Sequence, residues 1–204
     1  MNSSISKNTF KAIYRLLDKV SPLDDDCGLL CGAACCTCDN CEGADAIVEG
    51  ASDDADYEMG IYLLPGEEQM FDGDEDWIKW GHLAAEDFDF PDSWYGDVHF
   101  LECKAAPCCP REKRPLQCRF YPLTPHIDED GKLWLIYQNA ELPYSCPLIE
   151  SRIPLNRSFM KATYTVWCRL IQDSLILDMV LMDSQYRIED QTEIIKVFPP
   201  AEED

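Results

Sequence analysis

The chain has 204 residues, with 17 Lys+Arg against 39 Asp+Glu, a formal net charge of −22 and a pI near 4.3. With 46% hydrophobic and 11% aromatic residues, it holds enough apolar material for one packed domain and is neither a disordered tail nor a metallothionein-like thiol polymer. So acidic a surface repels phosphate backbones and anionic lipid, so neither nucleic acid nor membrane is expected as a partner.

The first twenty residues, MNSSISKNTFKAIYRLLDKV, carry charges through their apolar stripe and show no small-residue cleavage site. They are read as a helix and not as an export signal, which makes the expected location cytoplasmic. Residues 5–20 place Phe10, Ile13, Tyr14, Leu16, Leu17 and Val20 on one helical face, and Ser21-Pro22 ends it. Asp24, Asp25 and Asp26 then offer caps to a short segment over 27–36. If that segment is helical, Cys27, Cys31 and Cys35 share one face at i, i+4 and i+8, although Gly28 and Gly32 weaken it.

Residues 42–56 read as a solvated acidic loop, and 57–64 as a strand that turns at Pro65-Gly66 into one helical turn. Further strands are expected over 79–84 and 97–103. A hairpin is expected from 119–127 and 132–137 around the Asp-Gly turn at 128–131. Residues 156–183 form the longest helical pattern, with a tail through Val197 that continues as helix or strand and a frayed end at 199–204. The expected fold is one α+β domain over residues 1–198. A small, mostly antiparallel sheet is threaded by cysteine-rich metal-binding loops, with an N-terminal helix and a long C-terminal helix packed against it.

The twelve cysteines are the informative feature. Cys27, Cys31, Cys35, Cys36, Cys38 and Cys41 fall within fifteen residues, and Cys103, Cys108, Cys109 and Cys118 within sixteen. In a reducing compartment, grouped cysteines are more often ligands than disulfide partners. Zinc and iron–sulfur clusters both gather about four thiolates, at roughly 2.3 Å for zinc. Lys104, Arg111, Lys113, Arg114 and Arg119 concentrate five of the 17 basic residues beside the second group. They either offset the charge of thiolate-bound metal or pair with the abundant carboxylates.

Other signals are weaker. Cys31, Cys35 and Cys38 match radical-SAM spacing but come after a helix, without the alternating strand–helix units of a barrel. The Cys38–Cys41 dithiol lies outside any βαβ unit, and the Asp72, Asp74, Asp76 run lacks the glycine and glutamate of a calcium loop. His82, His99 and His126 are scattered; His126, near Cys118 in sequence, is read as a hydrogen-bonded residue and Cys168 as a packed one. No catalytic constellation stands out.

The cysteine pieces are Cys27, Cys31 and Cys35-Cys36, then Cys109, then Arg114-Pro115-Leu116-Gln117-Cys118-Arg119-Phe120-Tyr121-Pro122, then Cys146. Over residues 27–150 this arrangement resembles the zinc- or iron-chelating cysteine-cluster family of the YkgJ type. Position by position, the resemblance implies metal ligands at Cys27, Cys31, Cys35, Cys36, Cys109, Cys118 and Cys146, with Cys103 and Cys108 as additions. Cys38 and Cys41 depart from the pattern as a C-x2-C pair that suits zinc and adds a ligand pair or replaces one. The expected function is metal binding by thiolates, zinc first, in one cluster or two. The alternatives are a 4Fe–4S or 2Fe–2S protein acting in electron transfer or as an oxidoreductase, and a thiol-based metal trafficking or storage protein.

Overall fold

A computed structural model describes residues 1–37, 60–104, 108–140 and 142–200. The loop expected over 42–56, the Cys38–Cys41 pair and the last four residues of the expected tail lie outside the described residues.

Helix α1 (Lys7–Leu17) starts at Ser6, whose side chain accepts from the Thr9 amide, and buries Phe10, Ile13, Tyr14 and Leu17. It ends earlier than the apolar spacing predicts, at Asp18, and Leu16 within it is exposed. The segment after it forms two single turns, α2 (Gly28–Cys31) and α3 (Ala34–Thr37), and not one helix. The break lies at Gly32 and Ala33, whose φ values of 64° and 59° are left-handed.

Two antiparallel three-stranded sheets form where one was expected. The first combines β1 (Gly60–Tyr62), β2 (Ile78–Ala84) and β3 (Asp97–Cys103) in the order β1-β3-β2. Its period-2 alternation feeds two cores: Tyr62, Leu83 and Val98 face the large one, while Ile78 and Leu101 join Leu63, Phe71 and Trp77 in a small one. The second combines β4 (Leu123–Ile127), β5 (Leu133–Tyr137) and β6 (Lys196–Phe198) in the order β4-β5-β6, so the C-terminal tail is a strand. The expected strand start at 119 is displaced, because Pro115 opens a one-turn helix, α4 (Leu116–Phe120), that carries Cys118.

The long helical pattern divides into α6 (Arg157–Leu170) and α7 (Ser174–Glu189), after the short α5 (Pro147–Glu150). Asp173 causes the division: its carboxylate accepts from the amides of Leu175 and Ile176, capping α7, and from Ser3 and Ser4, which ties down the N-terminus. The architecture is α+β. Among the described residues no helix is long and apolar enough to cross a membrane.

Candidate metal centre

Four separate stretches deliver the thiols. Cys27 precedes α2 as its N-cap and Cys31 ends it, while Cys35 and Cys36 lie in α3 with their sulfurs 3.9 Å apart. Cys103 ends β3, paired with Ile78, and Cys109 packs against the small core. Cys118 lies in α4, and Cys146 is the N-cap of α5, packed with Cys27 against the large core. All ten described cysteines are free thiols; Cys108 is exposed, and Cys168 packs at the edge of the large core as expected.

Burial and neighbouring groups shift several of the thiols. Burial pushes the Cys27 thiol up, with Asp26, Cys146 and Cys31 adding to it. The contact with Cys36 and burial push Cys35 up, and Cys27 and Cys31 add to that; the same contact draws Cys36 down to about 6, aided by the Arg114 guanidinium. Burial pushes Cys103 up, with Cys109 and Cys36 adding, and pushes Cys118 up, with Cys103, Cys36 and Cys109 adding. Arg114 opposes both of the latter shifts.

Hydrogen-bond donors stand at the sulfurs. Arg114 Nε donates to Cys109 Sγ at 3.4 Å, the geometry of a cation placed to hold a thiolate. The buried Tyr121 hydroxyl stands beside Tyr144 and Cys146, and burial together with these neighbours pushes it up. Three other basic residues of the group bond elsewhere. Lys113 lies 3.6 and 3.7 Å from Asp72 and Glu75, Arg111 donates to the Val20 carbonyl, and Arg119 pairs with Asp18. Pairing with carboxylates is thus met at Lys113 and Arg119, while Arg114 stands on a sulfur.

Two residues hold the thiol-bearing loop in place, and sequence reasoning missed both. Glu67 is fully buried and accepts from Tyr14 Oη (2.7 Å), the Leu116 amide (2.7 Å) and the Leu64 amide (3.1 Å). This links α1 to the first amide of α4. Burial pushes its carboxyl up, and those three donors oppose the shift. Arg119 donates to the carbonyls of Arg114 (2.6 Å) and Arg111 (2.7 Å) and stacks 4.4 Å over the Tyr14 ring. Arg119 lies inside the Arg-Pro-x-x-Cys-Arg element, so its position was marked though its role was not. The Glu67 segment reads as an ordinary surface turn.

Among the described residues, no group of three or more Cys, His, Asp or Glu side chains is placed to hold a metal ion. The soft donor set, with an arginine and a tyrosine facing the sulfurs, fits zinc or an iron–sulfur cluster. Cys38 and Cys41 lie outside the described residues. His126 is buried in β4 with its Nδ1 unpaired, so the hydrogen bond expected for it is absent at that atom; its charged neighbours are Arg187, Lys196 and Asp128. His82 and His99 meet edge to face across β2 and β3, with ring centroids 5.2 Å apart. The Asp72 loop is an ordinary turn, in which Glu75 accepts from the amides of Asp72 and Gly73. Comparison of the chain with protein-family models, curated proteins and solved structures found no match to any of them.

Proposed function

We propose that the chain is a thiolate metal-binding protein, with zinc as its ion, working in a reducing cytoplasm, and that it is a member of the cysteine-cluster family its motifs resemble. The observation that carries this reading is the set of free thiols on four chain segments, with Cys35 and Cys36 in contact and the Arg114 guanidinium on the Cys109 sulfur. The soft sulfur donors favour zinc or iron over magnesium or calcium.

Elemental analysis of natively purified protein tests the reading. The expected result is colourless protein with stoichiometric zinc. Iron with acid-labile sulfide and visible charge-transfer absorption would move the same thiols to an iron–sulfur role. A well-folded, metal-free protein that takes up neither ion would overturn metal binding.

A further inference from the structure

We propose that Cys35 and Cys36 form a two-sulfur chelating site for one thiophilic atom, that of a trivalent arsenical bearing a single organic group. The site uses two sulfurs where a closed zinc centre uses four, so it goes beyond the metal-binding reading and does not rest on it.

The two sulfurs are already in contact, 3.9 Å apart, on consecutive residues joined by a trans peptide bond. Left-handed backbone at Gly32 and Ala33 ends α2 and restarts the chain as α3, and the Cys36 amide donates to the Ala33 carbonyl at 2.7 Å. Ala34 is buried and fixes this turn, while Cys35 and Cys36 are half-buried free thiols. The pair is therefore both held in place and reachable from solvent.

That spacing selects a bridging atom over a direct sulfur–sulfur bond. A disulfide needs its sulfurs at about 2.0 Å and its Cα atoms usually more than about 4.4 Å apart, whereas consecutive Cα atoms across a trans peptide lie about 3.8 Å apart. One atom bonded to both sulfurs at about 2.3 Å, the length zinc shows, holds them roughly 3.4–3.8 Å apart at angles from about 95° to tetrahedral. Closing from 3.9 Å to that range takes only small side-chain rotations. An arsenical of the form R–As=O reacts with the two thiols to form two As–S bonds. Its oxygen leaves as water with both thiol protons, and no atom is oxidised or reduced. Because the second sulfur sits within the same turn, its capture is intramolecular, and the chelate should exceed one-sulfur binding about 100-fold.

Titration of the reduced full chain with phenylarsine oxide, followed by intact-protein mass spectrometry, tests the site. The first equivalent is expected to add the mass of the reagent less one water, and fragment mapping should place it on Cys35 and Cys36. Blocking with N-ethylmaleimide after that equivalent should leave these two thiols protected. Cys35→Ser and Cys36→Ser should each weaken the first equivalent about 100-fold, while Cys168→Ser leaves it unchanged. A first adduct on another pair, an even spread over many thiols, or full retention in both serine variants overturns the proposal. The protection pattern is read on the wild type, so it decides the question even where a serine variant fails to fold. Zinc content of the same preparation reads the metal-binding proposal separately.

Discussion

The β5 region and the α2–α3 region are held by different means. Along Leu133–Tyr137 every residue is buried, and α6 and α7 cover the large core with Phe159, Val166, Trp167, Leu170, Ile176 and Val180. At about 25 cal/mol per Å² of apolar surface, such a region is stable through burial. The turn Gly28–Cys31 buries no residue and exposes 82% of Leu29 and 51% of Leu30. Four-residue helices do not sustain themselves. The cysteine segment is therefore held by its surroundings, through Asp26, which accepts from the Gly28 and Leu29 amides, and through the Asn156 amide's bond to the Pro22 carbonyl. Its neighbours position the thiols more than its own packing does.

The largest effect should separate the two regions. Phe159→Ala empties a fully buried site and is expected to cost about 3–5 kcal/mol in denaturant unfolding, with zinc per folded chain unchanged. Leu29→Ala should shift stability by less than about 0.5 kcal/mol, since its side chain is mostly exposed. A large cost at Leu29 would mean that the cysteine segment is packed more tightly than the exposure of this side chain implies.

Glu67→Ala ties the regions together. It leaves the Tyr14 hydroxyl and the Leu116 and Leu64 amides without their acceptor, an expected cost of about 2–4 kcal/mol. Because Leu116 opens the turn that carries Cys118, zinc content should fall as well. Unchanged zinc with lowered stability would show that α4 keeps its place without Glu67. Cys109→Ser and Cys118→Ser are each expected to lower metal content and Tm together, and full metal retention in both variants counts against these ligands. Arg114→Gln should weaken zinc binding about 10- to 100-fold, read by chelator competition, while the Tm of the metal-free chain stays nearly constant.

Elements with a short, local sequence period are the most legible. Strand Asp97–Cys103 and the hairpin partner Leu133–Tyr137 stand out because alternation or unbroken apolar runs mark them locally. The division of the C-terminal helix is not legible in the same way, since the apolar period runs across Asp173 and its capping role depends on Ser3 and Ser4 at the far end of the chain. The thiol segment shows a similar limit. Gly32 signals a weakening, but nothing local marks Ala33 as left-handed, and the expected i, i+4, i+8 face is broken between Cys31 and Cys35. Glu67 is a charged residue after Pro-Gly, and only the long-range fold turns it into a buried acceptor.

A pH-dependent effect at Asp173 tests the scaffold alone. Asp173 is 2% exposed, and its carboxyl is held below the usual range. Burial opposes that shift, and the Ser4 hydroxyl and amide, the Ser3 hydroxyl and the Ile176 amide outweigh it. A carboxyl with a depressed folded-state pKa contributes its full stability above the unfolded value near 3.9, and loses it as pH falls through the lower folded value. The stability of the chelated chain, followed through α6 and α7 so that thiolate protonation does not enter, should therefore fall on acidification below about pH 4. Asp173→Asn keeps the shape and some acceptor capacity but removes the titrating group. It should cost about 1 kcal/mol at neutral pH and flatten the acid limb between about pH 4 and the folded pKa. An undiminished acid limb in Asp173→Asn would place the acid sensitivity of the scaffold in other carboxylates, with Asp128, held near 2 by Trp134, Lys132 and Lys196 against its burial, as the next to replace.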